Sequence, residues 1–168
     1  IEGVDIILGN DDKHKLVDYV LNHTKTNTPS NKVFDISRLK TFYTSYSSDD
    51  RTRSFLKVQD GCDYFCTYCA IPHARGRSRN EDIETIVSCA KELAKEGKKE
   101  VVLTGVNIGD FGKSTNETFL QLIQRLDEIE EIQRYRISSI EPNLITEEVI
   151  DFCAKSRAFL PHFHIPLQ

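Results

Sequence analysis

The 168-residue sequence contains no methionine and begins at an isoleucine, so we expect the chain to be a piece of a longer protein. It also lacks any apolar run near the ~18 residues that cross a bilayer, which excludes a membrane-spanning segment. No basic, then apolar, then small-residue start is present, and the sequence therefore shows no signal peptide.

What the sequence does contain is typical of a globular protein. Hydrophobic residues make up 39% and charged residues 29%, with a net charge of −4, and this hydrophobic content is too high for a disordered chain. Length alone predicts one domain of roughly 100–200 residues.

The five cysteines are distributed unevenly. Cys62, Cys66 and Cys69 lie within eight residues, whereas Cys89 and Cys153 stand alone on the apolar sides of predicted helices and are interpreted as core thiols. A secreted disulfide scaffold would be shorter and denser in cysteine. We therefore expect a reducing compartment, the cytoplasm, and a metal or cluster bound by the three neighbouring thiols.

From residue 51 onward the hydrophobic pattern alternates between strand and helix. Strands are predicted at residues 54–59, 100–108, 134–140 and 162–168, after an earlier strand at 4–8. Helices are predicted at about 80–97, after 114 and from Thr146, with capping boxes at Ser78/Glu81 and Ser114/Glu117 and a stop at Gly97. This β-α-β-α-β-α-β order predicts a parallel sheet with right-handed crossovers.

Polar residues on one face of the outer strands favour a barrel over a doubly wound sheet. In the first of these strands, Lys57 and Gln59 lie on the face opposite the apolar residues. In the last strand, His162 and His164 also lie opposite the apolar residues. A doubly wound sheet would have apolar residues on both faces, whereas a barrel lumen can carry polar side chains. The predicted fold is therefore α/β, a partial (βα) TIM-like barrel of which the first half is present.

The three clustered cysteines have the spacing C-x3-C-x2-C directly after a predicted strand. Three thiolates on one loop can hold three irons of a [4Fe–4S] cluster and leave the fourth iron open for a small ligand. Barrel enzymes place their chemistry on loops at this end of the strands. Two alternatives remain open on spacing alone: a Cys3His zinc site that includes His73, and thiols without a ligand.

Four segments carry a resemblance to a known family. Residues 61–80, GCDYFCTYCAIPHARGRSRN, resemble the radical S-adenosylmethionine (SAM) enzymes, whose CxxxCxφC motif has an aromatic before its last cysteine, here Tyr68. The IP-x-x-RG run is similar to the methylthiotransferases. TGVNIGDFG, RISSIEP and HFHIPLQ resemble the branch that modifies N6-threonylcarbamoyladenosine in tRNA beside the anticodon.

The resemblance covers the whole chain and implies three parts. Residues 1–24 are expected to be the C-terminal part of an α/β methylthiotransferase N-terminal domain. Residues 25–50, rich in Thr, Ser, Asn, Lys and Asp, are expected to be a linker. Residues 51–168 are expected to be an incomplete radical SAM core.

The resemblance also implies roles for individual residues. Cys62, Cys66 and Cys69 would ligate the cluster, whose open iron takes the amino and carboxylate groups of SAM. The predicted SAM-binding residues are Tyr68, Gly105, Asn107, Ser139 and Glu141. The loop around Gly105 lacks the acidic residue that usually contacts the SAM amino group, so that role passes to Asn107 or to the Gly105 backbone. The catalytic side chains are left unassigned; the cofactor carries the chemistry, and the protein supplies ligation, orientation and exclusion of water.

The activity implied is methylthiolation of C2 of N6-threonylcarbamoyladenosine in tRNA. A second [4Fe–4S] cluster is expected on cysteines outside this chain, so the chain is expected to be inactive alone. Transfer RNA and a reductant such as flavodoxin or ferredoxin are the expected partners, with no membrane. The alternatives are a sister enzyme acting on isopentenyladenosine in tRNA or on a ribosomal-protein aspartate, and a non-enzymatic Cys3His zinc module that binds RNA.

A basic patch follows the cysteine loop. Residues 51–79 contain six Lys and Arg against two Asp, a local charge of +4 within a chain of −4. Arg75, Arg77 and Arg79 are predicted to contact RNA phosphates. A solvated charged face is the alternative, and the overall pI of about 5.8 is not that of a dedicated nucleic-acid binder.

Overall fold

A computed structural model describes residues 3–47 and 53–167. The chain opens with a small β-α-β unit: β1 (Ile6–Leu8), α1 (Leu16–Leu21) and β2 (Ser30–Lys32), with β1 and β2 parallel. The strand β2 lies in the segment predicted to be a linker. Its polar sequence, Ser-Asn-Lys, has no apolar alternation, so only backbone pairing reveals it. The three-part division of the chain stays a prediction, and its boundary at residues 50/51 lies outside the described residues.

The main sheet has four strands in the order β3-β4-β5-β6. Strand β3 (Ser45–Tyr46) is antiparallel to β4 (Arg53–Lys57), whereas β4, β5 (Glu100–Thr104) and β6 (Arg134–Ile137) are parallel. The register aligns Leu56 with Leu103 and Leu103 with Ile137, and all three are buried. The predicted α/β class with parallel strands is confirmed.

Helices connect the parallel strands. After the short α2 (Ile71–Arg75) come α3 (Ile83–Lys95), α4 (Phe119–Asp127) and α5 (Glu147–Lys155). The apolar faces of α3, α4 and α5 pack into one core with the sheet. No helix in the described part of the chain is long and apolar enough to cross a membrane.

The predicted helix stop at Gly97 is confirmed and both predicted capping boxes are wrong. Gly97 has φ +81°, and the Lys98 N–H donates to the Leu93 carbonyl, which closes a Schellman motif. The N-caps are instead Asp82 for α3 and Thr118, in a capping box with Gln121, for α4.

The two side chains of the second predicted box, Ser114 and Glu117, hold loops together instead. A Glu117 carboxylate oxygen accepts from the Ile83 N–H at 3.0 Å, and the Ser114 hydroxyl donates to Asn80 at 3.0 Å. Both bonds join segments more than 30 residues apart, which local sequence rules do not detect.

The predicted fourth strand at 162–168 is absent as a continuous strand within the described residues. Here the chain runs parallel to β6 but pairs with it only through two isolated bridges, Tyr135 with Phe159 before the predicted range and Ser139 with His164 within it. Pro161 and Pro166 lie on either side of His164, and because proline has no N–H it cannot continue a ladder. Gln168, the last residue of the predicted strand, lies outside the described residues.

The effect of a buried, unsatisfied polar group on the stability of the core can be tested at Tyr135. Its ring is fully buried and stacks on Phe159 with centroids 4.7 Å apart, yet its hydroxyl has no hydrogen-bond partner in the described residues. Burial also raises the pKa of Tyr135, so the group stays neutral. We expect Tyr135→Phe to stabilise the protein by about 1 kcal/mol, because it removes an unsatisfied polar group.

Urea denaturation of the full-length protein measures this effect. As a control, Tyr135→Leu keeps an apolar side chain but loses the stacking and part of the volume, and should cost about 2 kcal/mol. A phenylalanine variant less stable than the wild type would show that the hydroxyl has a favourable partner.

Candidate active site

The loops that follow β4, β5 and β6 meet at one edge of the sheet, because the carboxyl ends of parallel strands lie side by side. The cysteine loop follows β4, residues 105–118 follow β5, and residues 138–146 follow β6. Every residue predicted to bind a cluster or SAM lies on one of these three loops.

The cysteine loop is a tight turn built on glycine. Gly61 has φ +75°, and a Cβ there would overlap the Arg77 carbonyl oxygen, so no other residue fits. The Cys62 N–H donates to the Gly76 carbonyl at 3.1 Å, and the Cys69 N–H donates to the Cys66 carbonyl at 2.9 Å. These bonds close the loop at its base and at its tip.

The three thiols of this loop are partly exposed. Burial, followed by the charges of Asp110, Cys66 and Cys69, raises the pKa of Cys62. Across residues 3–47 and 53–167 no three His, Cys, Asp or Glu side chains are already arranged to hold a metal ion. The donor set fits an iron–sulfur cluster nonetheless, since three soft sulfur ligands on one accessible loop are the ligands that such clusters take.

The other two cysteines are structural, as predicted. Cys153 is buried in α5, where burial raises its pKa to about 11. Cys89 is half-buried in α3 and packs against the core, and burial raises its pKa as well. Neither lies on the three loops of the site.

Gln59 joins the cysteine loop to the loop after β5. Its side chain is fully buried, and its amide nitrogen donates to the Gly61 carbonyl at 2.8 Å and to the Ser78 hydroxyl at 2.9 Å. Its amide oxygen accepts from the N–H groups of Val106 and Asn107, both at 2.9 Å. Sequence reasoning placed Gln59 on a polar strand face and missed this bridging role.

Gly105 is required by the same packing. A Cβ at this position would lie 2.7 Å from the Ile108 side chain and 2.9 Å from the amide oxygen of Gln59. The backbone after β5 can therefore approach Gln59 only because residue 105 has no side chain.

Asn107 and Ser139 connect the loops after β5 and β6. The Asn107 amide oxygen accepts from the Glu141 N–H at 3.3 Å, and the Ser139 carbonyl accepts from the Ile108 N–H at 3.1 Å. The Ser139 hydroxyl lies 3.0 Å from the ring nitrogen Nδ1 of His164. Asn107 is buried, and its amide nitrogen has no partner among the described residues.

Tyr68 stands at the rim of the site, with 71% of its surface exposed. Its pKa is raised by desolvation and then by the charges of Cys66, Cys69 and Glu141. The structure thus joins Gly105, Asn107, Ser139 and Glu141 through contacts of the loops after β5 and β6, and Gln59 fastens these loops to the one that carries Tyr68 and the three cysteines.

An ion pair that sequence reasoning missed lies beneath the cysteine loop. Asp110 is fully buried and lies 2.6 Å from the amine of Lys113. The amine of Lys113 is in turn 5.9 Å from the centre of the Tyr64 ring, whose hydroxyl accepts from Asn143 at 2.7 Å. The sequence feature that could have predicted this ion pair is an acidic residue, Asp110, within an apolar, glycine-rich loop after a buried strand.

The three predicted RNA-binding arginines differ in exposure. The Arg77 side chain is 63% exposed, is stacked on Phe65 at 4.5 Å and lies 3.7 Å from Asp63. Arg75 is half-exposed and pairs with Asp60 at 3.1 Å.

Arg79 is buried and does not fit the predicted RNA contact. It pairs with Asp60 at 3.1 Å and donates to the carbonyls of Thr41, Arg75 and Arg77. Its guanidinium therefore ties residues 41 and 75–77 to the end of β4, which is a structural role.

The parallel sheet and its cysteine loop define the class of protein. The chain belongs to the radical SAM superfamily, whose family model matches residues 56–168, and the predicted resemblance is confirmed. A solved structure of the radical SAM methyltransferase TsrM from Kitasatospora setae, with cobalamin and a [4Fe–4S] cluster bound, superposes with a TM-score of 0.54. It is 16% identical and covers 87% of this chain and 26% of that one, so it supports the fold alone.

Comparison with curated proteins gives relatives of higher sequence identity. The chain is 40% identical over 172 residues to threonylcarbamoyladenosine tRNA methylthiotransferase MtaB of Bacillus subtilis (strain 168), covering 100% of this chain and 38% of that protein. It is 30% identical over 170 residues to tRNA-2-methylthio-N(6)-dimethylallyladenosine synthase of Pelagibacter ubique (strain HTCC1062), covering 98% and 38% respectively. The chain thus spans 38% of the length of these relatives.

Proposed function

We propose that this chain is part of a radical SAM methylthiotransferase that modifies C2 of N6-threonylcarbamoyladenosine in tRNA. The observation that carries the proposal is that hydrogen bonds through Gln59 and Asn107 join the cysteine loop to the loops of Asn107 and Glu141 at one sheet edge. The 40% identity to the Bacillus subtilis enzyme over the whole chain supports this particular substrate.

The cluster is assigned to Cys62, Cys66 and Cys69. A cluster held by these three thiolates would supply the one-electron reduction that splits SAM into methionine and a 5′-deoxyadenosyl radical, the species that would take the hydrogen from C2 of the adenine. The protein's own contribution is to hold the loop, orient SAM and exclude water. Gly61 and Gln59 perform the first task by closing the loop and fastening it to the neighbouring strand.

SAM is assigned to Tyr68, Gly105, Asn107, Ser139 and Glu141. The Asn107 oxygen is engaged by the Glu141 N–H, so its unpartnered nitrogen must point away from that bond. An amide N–H2 donates only, and it therefore suits the SAM carboxylate better than the amino group that sequence reasoning assigned to it. The carboxylate of Glu141 suits the amino group, and Tyr68 at the rim suits the adenine.

The remaining parts of the proposal extend beyond this chain. The parallel strands are the first half of a partial barrel, and a second [4Fe–4S] cluster on cysteines elsewhere supplies the sulfur. Transfer RNA approaches over Arg77 and the exposed part of Arg75, flavodoxin or ferredoxin supplies electrons, and the reaction occurs in the cytoplasm. By itself the chain is inactive.

Two measurements on the full-length protein test the proposal. After anaerobic iron–sulfur reconstitution, we expect an EPR signal that changes when SAM is added, whereas stoichiometric zinc without iron would contradict the cluster assignment. In a strain that lacks the gene, nucleoside mass spectrometry of tRNA should show N6-threonylcarbamoyladenosine without its methylthio group. Loss of the methylthio group from isopentenyladenosine instead would assign the protein to the sister enzyme.

A further inference from the structure

A cationic cavity lies beside the cysteine loop, outside the site described above. It has a volume of about 350 Å³ and is enclosed by residues 10–14 and 39–45 on one side and by the end of β4 and α2 on the other. It shares Asp60 and Arg75 with the base of the cysteine loop but includes none of the cysteines or proposed SAM-binding residues.

The lining of this cavity carries more positive charge than its carboxylate neutralises. Lys13, Lys57, Arg75 and Arg79 line it with a single carboxylate, that of Asp60. Asp60 is buried and already lies 3.1 Å from the charged nitrogens of Lys57, Arg75 and Arg79.

The nearby carboxylates do not remove the excess. The Asp11 carboxylate does not line the cavity, but its charge acts against the desolvation that lowers the pKa of Arg79. With Asp11 included, four cations face two carboxylates, and an excess of two positive charges remains. Asp12 is engaged by Lys15 at 2.9 Å and by the Tyr19 hydroxyl at 3.1 Å.

Two donors at the cavity are not used by the protein. Lys13 forms no ion pair among the described residues, and its pKa is lowered by desolvation and by the positive charge of Lys57. The Asn10 amide nitrogen is buried without a hydrogen-bond partner in the same part of the chain. An exposed lysine without an ion pair and an unpaired buried amide lie beside the half-exposed guanidinium of Arg75, and together they can bind an acceptor with several oxygens and negative charge, as a phosphate has.

We propose that this cavity binds a phosphate group, and that the phosphate belongs to the backbone of an RNA held at the neighbouring cysteine loop. The phosphate site depends only on the cavity and its charges, whereas its assignment to RNA rests on the proposed function. The RNA strand that enters the active site is then anchored on one side by Lys13 and Asn10.

Binding measurements on the full-length protein test the site. Wild type, Lys13→Glu and the conservative Lys13→Arg are titrated with inorganic phosphate and with a tRNA anticodon stem-loop at several salt concentrations. Lys155→Glu is the matched control, since this substitution changes the net charge by the same amount. Lys155 is exposed at the end of α5, beyond β6 and away from the cavity.

We expect Lys13→Glu to weaken RNA binding about tenfold relative to Lys155→Glu, the effect of one lost charge-assisted contact. The slope of log K against log salt should fall by roughly 0.7–0.9, the value for one phosphate contact. Lys13→Arg should retain the affinity of the wild type.

Each other outcome has a defined meaning. If only phosphate binding weakens, the cavity takes a free phosphate and the assignment to RNA is wrong. If Lys13→Glu behaves as Lys155→Glu does for both ligands, the phosphate site itself is wrong. If the Lys13-dependent binding is present but tRNA is not methylthiolated, the site stands and the proposed function fails.

Discussion

Replacing Cys66 by alanine should remove about four iron atoms per molecule from the reconstituted full-length protein, the content of one [4Fe–4S] cluster. The SAM-dependent EPR change and the methylthiolation of tRNA should disappear with it. The other two cysteines among residues 3–47 and 53–167 lie in α3 and α5, so the cysteine loop holds no spare thiol to replace Cys66. Two remaining thiolates hold such a cluster poorly.

Cys89→Ala is the matched control for this substitution. Cys89 is also a partly exposed thiol, but it lies in α3 and packs against the core. Iron content and EPR should therefore be unchanged in this variant. A Cys66→Ala protein that keeps its brown colour and full iron content would refute the ligand assignment.

Replacing Gln59 by methionine should lower the free energy of unfolding by about 4 kcal/mol, since methionine keeps the length of the side chain but forms none of its hydrogen bonds. The buried N–H groups of Val106 and Asn107 would lose their acceptor, and the Gly61 carbonyl and the Ser78 hydroxyl would lose a donor. Leaving several buried groups unsatisfied costs more than losing exposed bonds.

The Gln59 substitution should also weaken SAM binding, which a purely structural role of Gln59 would leave unchanged. Because Gln59 fastens the cysteine loop to the Asn107 backbone, we expect SAM to bind at least about tenfold more weakly to folded Gln59→Met protein, the equivalent of one lost hydrogen bond to a charged group. Gln124→Met on the exposed side of α4 is the control, with an expected change within about 0.5 kcal/mol. A loss below about 1 kcal/mol with unchanged SAM affinity would show that the bridge is dispensable.

The elements that the sequence predicted best were those in which local pattern and burial agree. The apolar face of α3 and the stop at Gly97 follow from periodicity and from the positive φ that glycine tolerates. The capping boxes failed because Ser114 and Glu117 have the correct local spacing but bond to residues 80 and 83, which the fold brings close. The prediction of a strand at 162–168 was wrong because alternation predicts exposure and burial, not the unbroken N–H ladder that Pro161 and Pro166 prevent.

The same distinction applies to the basic patch. Arg75, Arg77 and Arg79 alternate along the chain and are equivalent by composition. The turn at Gly76, which has φ +80°, and the buried Asp60 separate them, since the Arg79 side chain is 6% exposed and that of Arg77 is 63% exposed. Sequence alone cannot rank them because the carboxylate that selects Arg79 lies 19 residues away.

By itself, the sequence determined the class of protein and the position of its cofactor loop. The thiol spacing of Cys62, Cys66 and Cys69 is local chemistry, and the order of strands and helices places that loop at the carboxyl edge of a parallel sheet. Only the tertiary structure decided how the three loops are held together, through Gln59 and Asn107, and which cation has no ion-pair partner among the described residues, Lys13. The physical reason is that hydrogen bonds and ion pairs act over a few ångströms, and only folding brings groups up to about 50 residues apart in the chain to that distance.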